Sequence, residues 1–258
     1  MTADLFASVS DLHPTQQPMA EGAGLLHGFA KPAEADLLAD LRDIVEQAPF
    51  RHMVTPGGHQ MSVAMTNCGG LGWVTDRSGY RYDANDPEAG RPWPAMPRSF
   101  RELAQQAADH AGFGGFSPDA CLINRYRPGA RMSLHQDKDE EDFAAPIVSV
   151  SLGLPAIFLF GGLKRSDKPR RFRLQHGDIA VWGGPARLVF HGVAPLADGE
   201  HALLGRQRIN LTFRNAREAL ELLLRRHSGM VRRTRPQMCN CTSGNLEIPG
   251  SRLRRAPE

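Results

Sequence analysis

The sequence has few cysteines and no segment suited to crossing a membrane. Its four cysteines show neither a disulfide spacing nor a zinc-ribbon spacing. A long stretch without charged residues, 146–163, is broken by prolines and glycines, which favours core strands over a membrane helix. The first residues carry Asp4 and lack a basic region followed by an apolar run, so no signal peptide is expected. These absences predict a cytoplasmic protein that does not associate with membranes.

The basic character of the chain is concentrated at its C-terminal end. The net charge is +3 and the pI is about 8.8. Residues 217–258 contain nine Arg and four Glu, a balance of +5, so the preceding 216 residues sum to −2. We predict that 217–258 forms a disordered tail after a short helical run at 217–227. The tail is interpreted either as a solvated extension or as a nonspecific nucleic-acid arm.

Periodicity divides the remainder into a flexible N-terminal arm, 1–20, and one domain, 21–216. Helical spacing of apolar residues predicts amphipathic helices at 32–47 and from about 98 to 111. The segment at about 51–97 is rich in Gly, Pro, Met and aromatic residues, which predicts short strands and loops over a site. Short alternating runs then predict strands at 122–126, 148–154, 156–160, 178–182, 188–191 and 208–213. Many short strands predict an α+β, mainly β fold with a jelly-roll core and flanking helices.

His135 and Asp137 are the leading metal-ligand candidates. Residues two apart on an extended strand point to the same face, so one metal ion can meet both side chains. A facial triad of two histidines and one carboxylate needs a second histidine from another strand and leaves three coordination positions open. His191 ends the apolar run 188–190 and is the candidate for this position. Iron(II) is the metal that such a triad binds in oxygenases.

A second triplet, His176-Gly177-Asp178, has the same spacing and is the chance competitor. Gly177 separates its polar residues, and the triplet directly precedes the apolar run 179–182. We interpret this triplet as a turn and Asp178 as a turn residue.

An independent pattern lies in the run 208–214. Ile209, Leu211 and Phe213 alternate with Arg208, Asn210, Thr212 and Arg214, so the two sets lie on opposite faces of a strand. Two Arg and one Asn on one face can hold a small dicarboxylate through charge-assisted hydrogen bonds. The alternative is an exposed strand with a solvated polar face. Asn124 and Tyr126 share one face of an earlier strand in the same way.

Several long runs closely resemble the AlkB dioxygenases, which repair alkylated nucleic acids. These runs are Leu122-Ile-Asn-Arg-Tyr126, Ser133-Leu-His-Gln-Asp-Lys-Asp-Glu140, Pro146-Ile-Val-Ser-Val-Ser-Leu-Gly-Leu-Pro155, Phe160-Gly-Gly-Leu-Lys-Arg165, His176-Gly-Asp178, Val181-Trp-Gly-Gly184 and Asn210-Leu-Thr-Phe-Arg214. The resemblance covers roughly residues 20–216, and it is to the bacterial type of the family.

The resemblance implies a double-stranded β-helix with a nucleotide-recognition lid, and it implies Fe(II), 2-oxoglutarate and O2. The implied iron ligands are His135, Asp137 and His191. The implied 2-oxoglutarate contacts are Asn124, Tyr126, Arg208, Asn210 and Arg214. The implied substrate contacts are Trp73, Tyr80, Tyr82, Asp139 and Arg165.

The same resemblance implies the reaction, which is oxidative demethylation of N1-methyladenine and N3-methylcytosine in DNA. It implies a preference for single-stranded DNA and RNA as a further substrate. The enzyme is expected to act as a monomer. These methylated bases are cationic, so a carboxylate at Asp139 would favour them over normal bases. On the residues alone, Asp139 is interpreted as a solvated member of the acidic run 137–142, and Trp73 as a packing residue. The basic residues of 131–171 are either contacts to a phosphate backbone or scattered surface charge.

Two other functions fit part of the pattern. A 2-oxoglutarate oxygenase acting on a protein or a small molecule would keep the triad and both Arg of the strand 208–214, but would not need Trp73, Tyr80 and Asp139. A metal-storing or ligand-binding cupin-like barrel would have no use for a dicarboxylate-binding strand beside the metal.

Overall fold

The computed structural model describes residues 15–217, which contain two α-helices and fifteen β-strands. The helices are α1 (Glu34–Gln47) and α2 (Arg98–His110). The strands before α2 are β1 (Gln16–Ala20), β2 (Ala23–Leu26), β3 (Ala64–Gly69), β4 (Gly72–Asp76), β5 (Gly79–Asp83), β6 (Asn85–Asp86) and β7 (Arg91–Pro92). Those after α2 are β8 (Ala120–Tyr126), β9 (Met132–His135), β10 (Ile147–Gly153), β11 (Ala156–Phe160), β12 (Arg170–Leu174), β13 (Ile179–Trp182), β14 (His191–Val193) and β15 (Arg208–Arg214).

Two antiparallel sheets form the body of the domain. The major sheet has the strand order β1-β2-β13-β10-β15-β8-β3, and the minor sheet has the order β12-β11-β14-β9. The strands β4 and β5 form a separate hairpin within the segment 51–97. This arrangement confirms the predicted mainly β fold with a double-sheet core. No helix in the described part of the chain is long and apolar enough to span a membrane.

The alternation of the central strands separates two buried layers. Ile209, Leu211 and Phe213 of β15 pack in one hydrophobic cluster with residues of both helices, such as Leu37 of α1 and Phe100 of α2. Because successive side chains of a strand point to opposite faces, the polar residues of β15 face the minor sheet instead. A second apolar cluster, which includes residues of β11, β12 and β13, fills the space between the two sheets. Both predicted helices are confirmed, and they cover the outer face of the major sheet.

Two predicted boundaries are wrong. The strand expected at 188–191 begins only at His191, because residues 184–186 form a 3₁₀ turn and the Val189 N–H donates to the carbonyl of Ala186. Gln16–Ala20 belongs to the edge strand β1 and not to a loose arm, because Met19 is fully buried and β1 pairs with β2. Residues 1–14 and 218–258, with most of the predicted tail and its helical run, lie outside the described residues.

Strand β12 was not predicted. Its sequence alternates Arg171 and Arg173 with the buried residues Phe172 and Leu174, so only two apolar residues mark it. The competing triplet is confirmed as a turn. Gly177 has a φ of 85°, which favours glycine, and Asp178 accepts hydrogen bonds from the N–H groups of Gly28 and Gln175.

Candidate active site

Three side chains, from β9, from the loop that follows it and from β14, meet at one point. His135 is the last residue of β9, Asp137 follows two residues later, and His191 is the first residue of β14. Direct pairing of His135 with His191 brings the two histidines together. One ligand atom from each of the three residues lies within 4.8 Å of the others. Within residues 15–217, this is the one cluster of His, Cys, Asp or Glu with metal-binding geometry.

Both imidazole rings are oriented by their own backbone. His135 Nδ1 lies 2.8 Å from the carbonyl oxygen of Ser133, and His191 Nδ1 lies 3.0 Å from that of Val189. A carbonyl oxygen only accepts, so each Nδ1 carries the proton and donates it. The Nε2 lone pairs therefore remain for a metal, and they point toward Asp137 at 3.5 Å from its Oδ1 and 3.7 Å from its Oδ2, respectively.

The electrostatics of the triad favour the ligating forms of Asp137 and His191. Burial alone would raise the pKa of Asp137, but the charge of Arg214 and the bond from His135 hold it well below its usual range. Burial, together with the nearby His135, lowers the pKa of His191 to about 4. For His135, burial lowers the pKa, but hydrogen bonding to Asp137 and its charge raise it by more. Asp137 is therefore a carboxylate and His191 a neutral imidazole at pH 7.

A buried ion-pair network supports Asp137. Arg214 donates from Nη2 to Asp137 Oδ2 at 2.7 Å and also lies 3.2 Å from Glu140. Arg187 donates to the backbone carbonyl of Asp137 at 2.8 Å and to Glu140 at 3.1 Å. Sequence reasoning missed Arg187 and Glu140 as parts of the site, because no spacing pattern connects residues 47 positions apart.

The hairpin of β4 and β5 is attached to this network. The Tyr82 hydroxyl donates to Glu140 Oε1 at 2.7 Å. Tyr82 is thus placed against the ion pairs that hold Asp137, and it is not among the residues that line the open cleft described below. Its predicted contact with nucleic acid stays a prediction.

Replacing Tyr82 with phenylalanine is expected to lower the free energy of unfolding by about 1–2 kcal/mol, because the buried Glu140 oxygen loses a donor. Tyr80→Phe is the matched control, since Tyr80 is 50% exposed, and it should change stability by less than about 0.5 kcal/mol. Urea denaturation of the three proteins measures the difference. Equal midpoints and slopes for both variants would show that the Tyr82–Glu140 bond contributes nothing.

The predicted co-substrate residues lie on adjacent strands and line one pocket with the triad. Arg208 of β15 pairs with Tyr126 of β8, and Asn210 pairs with Asn124. These four residues, Arg214 and the triad all line a pocket between the two sheets. The polar face of β15 is therefore buried and not solvated, which excludes the alternative of an exposed strand.

Arg208 carries hydrogen-bond donors that nothing in the described residues satisfies. Its Nη2 donates to Ser151 Oγ at 2.9 Å, whereas its Nε and Nη1 are buried without a partner. Burial lowers the pKa of Arg208, yet a guanidinium stays charged in proteins. A buried, half-satisfied cation is costly unless an anion joins it. The pocket therefore fits a carboxylate beside Arg208.

An open cleft of about 890 Å³ adjoins this pocket, and the triad lies at the junction of the two. His135, Asp137 and Arg214 line both the pocket and the cleft. The other predicted substrate contacts, Tyr82 excepted, line the cleft: Trp73, Tyr80, Asp139 and Arg165.

Trp73 and Tyr80 form an aromatic wall of this cleft beside a carboxylate. Their rings stack with a centroid distance of 5.7 Å and an interplanar angle of 22°. Trp73 Nε1 donates to Asp139 Oδ2 at 2.9 Å. Arg165 is anchored by donation to the carbonyl of Leu134 at 2.7 Å. The cleft thus presents a flat aromatic surface, an acceptor and a cation close to the metal ligands.

Comparison with known proteins agrees with this geometry. The profile of the 2OG-Fe(II) oxygenase superfamily matches residues 22–214. The chain is 61% identical over 213 residues to the alpha-ketoglutarate-dependent dioxygenase AlkB of Escherichia coli, covering 83% of this chain and 97% of that protein. The chain belongs to the AlkB family. It is therefore an iron(II)- and 2-oxoglutarate-dependent dioxygenase, whose co-substrates are 2-oxoglutarate and O2.

More distant AlkB-family relatives share the fold and part of the sequence. The tRNA demethylase abh1 of Schizosaccharomyces pombe is 32% identical over 162 residues, which cover 57% of this chain and 53% of that protein. The solved structure of OsALKBH1 is 28% identical, has a TM-score of 0.69 and matches 78% of this chain and 100% of that chain. The double-stranded β-helix expected from the sequence is thus confirmed.

The residues present fit the cofactors of the AlkB family. Two imidazole nitrogens and a buried carboxylate are the donor set of a facial iron triad. The unsatisfied Nε and Nη1 of Arg208, in the pocket that the triad borders, fit one carboxylate of 2-oxoglutarate.

Proposed function

We propose that this dioxygenase removes methyl groups from N1-methyladenine and N3-methylcytosine in DNA, preferably single-stranded, and that it also accepts RNA. The observation that carries the proposal is the aromatic wall of Trp73 and Tyr80 beside Asp139, on the open side of the metal triad. A protein-modifying or small-molecule oxygenase needs no such wall. A relative named as a tRNA demethylase supports methyl removal from nucleic acid.

We assign the iron to His135, Asp137 and His191, and 2-oxoglutarate to Arg208, Asn210, Arg214, Asn124 and Tyr126. With these bound, oxidation of the N-methyl C–H bond by O2 and 2-oxoglutarate yields succinate, CO2 and a hydroxymethyl group that leaves as formaldehyde. The chain's own residues orient the co-substrate and exclude water. Arg208 fixes the co-substrate in the buried pocket, and the apolar layer between the sheets keeps bulk water from it.

The substrate side of the site fits a base taken out of its stack. Enzymes that act on a base must extrude it, and aromatic rings replace the lost stacking. The ring of Trp73 is fixed by its bond to Asp139, so stacking and charge recognition are held in one arrangement. We assign the role of a nucleotide-recognition lid to the segment 51–97, which contains the hairpin of β4 and β5. We also propose that the enzyme acts as a monomer in the cytoplasm.

The deciding experiment uses single-stranded oligonucleotides that carry one N1-methyladenine or N3-methylcytosine. Formaldehyde and succinate should form in equal amounts, and only with iron and 2-oxoglutarate present. An unmethylated oligonucleotide is the control, and an RNA oligonucleotide with the same lesion tests RNA. If the methylated oligonucleotide does not change the rate of 2-oxoglutarate turnover and no formaldehyde appears, the substrate is a protein or small molecule instead.

Asp139→Asn is expected to lower kcat/KM for the cationic bases N1-methyladenine and N3-methylcytosine roughly three- to tenfold, since an exposed charge acts through solvent. The amide oxygen still accepts from Trp73 Nε1, so the ring stays in place. Turnover of the neutral N3-methylthymine should stay unchanged, and Glu141→Gln, an exposed acid nearby, serves as control. An equal loss for charged and neutral lesions would show that Asp139 does not read the charge.

A further inference from the structure

The hairpin of β11 and β12 carries a concentration of exposed cations. Its connecting loop and β12 together expose six: Lys164, Arg165, Lys168, Arg170, Arg171 and Arg173. Asp167 is the only acidic residue between 156 and 174. Its carboxylate accepts a hydrogen bond from the backbone N–H of Lys164 at 3.0 Å within the loop. The surface of this hairpin is therefore strongly positive, although the 216 residues before the tail sum to −2.

Two of these cations project from the outer face of the minor sheet. Phe172 and Leu174 are buried between the sheets, so the alternating Arg171 and Arg173 point to the opposite side. In the part of the chain that the structure describes, neither takes part in an ion pair. Arg170 differs, because it donates to the carbonyl of Met19. Among residues 15–217, Arg171 and Arg173 are thus exposed charges without an ion-pair partner.

Strand register connects Arg171 to the cleft. Arg171 pairs with Leu159 of β11, and Leu159 pairs with Gly192 of β14. Gly192 in turn packs against β9, where a Cβ on it would lie 2.7 Å from the Met132 carbonyl oxygen, and the neighbouring Ser133 lines the cleft. Three strand spacings separate Arg171 from β9, about 14 Å. Along this row of paired residues, Leu159 is the only side chain between Arg171 and β9, because Gly192 has none.

The same face offers apolar surface between its charges. Ile157 and Leu159 of β11 are partly exposed, and they pair with Arg173 and Arg171. Cations lined up along one sheet face suit a single strand of nucleic acid, because a positively charged surface can follow its phosphates. Arg165 joins this face to the cleft, because it lines the cleft from the connecting loop.

We propose that this flanking-strand face, made of Ile157, Leu159, Arg171 and Arg173, binds the phosphate backbone of nucleotides that flank the methylated base. The inference rests on the proposed function, and it places part of the binding energy outside the active-site cleft. Since the face lies about 14 Å from the cleft edge, a short oligonucleotide centred on the lesion does not reach it, whereas a longer one does.

The test compares Arg171→Gln/Arg173→Gln with wild type on two substrates, a methylated trinucleotide and a methylated 15-mer. Fluorescence anisotropy across salt concentrations should give a 15-mer Kd raised roughly three- to tenfold and a salt slope smaller by about 1.4, the value for two lost phosphate contacts on a single strand. The trinucleotide kcat/KM should be unchanged. The matched control, Arg42→Gln/Arg101→Gln, removes two exposed arginines from the helices and should match wild type.

The outcomes separate this inference from the proposed function. If wild type demethylates both substrates and the double variant keeps the wild-type Kd and salt slope on the 15-mer, the flanking-strand face is not a binding surface. Equal losses in both double variants would mean that overall charge, and not this face, sets the affinity. If wild type demethylates neither substrate, the proposed function fails. Equal melting temperatures check that folding is unaffected.

Discussion

Asp137→Ala is expected to abolish iron binding and to lower turnover by at least about a thousandfold. Asp137 is the one anionic group of the triad, and its carboxylate is held ionised by Arg214. Without it, two neutral imidazoles face the metal and no protein ligand offsets its charge. The loss therefore combines a missing ligand with a nearby positive charge, that of Arg214, which then has only Glu140 as a partner among the described residues.

Direct metal binding makes this prediction independent of the assay for product. Titration with Mn(II) as an iron surrogate should show one tight site in wild type and none in Asp137→Ala. Glu141→Ala is the matched control, since it removes an exposed carboxylate four residues away, and it should bind Mn(II) normally. Circular dichroism verifies that the variant is folded, because removal of one partner of a buried ion pair costs about 3–5 kcal/mol. Wild-type Mn(II) affinity in folded Asp137→Ala would exclude this residue as a ligand.

The parts of the site that the sequence predicted are those set by local periodicity. Spacing of two residues places His135 and Asp137 together, and alternation along β15 separates Arg208 and Asn210 from the apolar face. The position of Asp137 beside His135 depends little on where strand β9 ends. Strand β9 stops at His135, yet Asp137 still reaches the metal position from the loop.

The parts that local periodicity could not predict depend on contacts between distant segments. Just before β14, the Phe190 N–H donates to the Gly162 carbonyl, 28 positions earlier. Arg187 reaches Asp137 and Glu140 across about fifty residues. No pattern within one segment predicts such a contact between distant residues, because the contact depends on how the two sheets pack.

Tyr82 makes a contact that no sequence pattern predicted. The resemblance to the AlkB dioxygenases implies that Tyr82 contacts the substrate, as it does for Trp73 and Tyr80. Its hydroxyl bonds Glu140, which lies 3.2 Å from Arg214. The hairpin that carries the aromatic wall is thereby joined to the arginine that holds the Asp137 carboxylate, so the substrate side and the metal side share one buried network.

Arg208→Met is expected to raise the KM for 2-oxoglutarate by roughly 30- to 5000-fold, the equivalent of about 2–5 kcal/mol for a lost buried charge pair. Arg208 is 1% exposed, and its Nε and Nη1 have no partner among the described residues. Its contribution should therefore depend on the bound carboxylate. In the free protein, exchange of a half-satisfied buried cation for an apolar side chain of similar length should be neutral or stabilising.

Thermal unfolding separates these two effects in one experiment. Mn(II) with 2-oxoglutarate should raise the melting temperature of wild type, because a ligand that binds only the folded state stabilises it. Arg208→Met should melt at or above the wild-type temperature without ligand and gain nothing from 2-oxoglutarate. Arg206→Met, which removes an exposed arginine two residues earlier, should respond like wild type. A variant that melts lower without ligand but keeps the full ligand response would make Arg208 a structural residue and place the carboxylate elsewhere in the pocket.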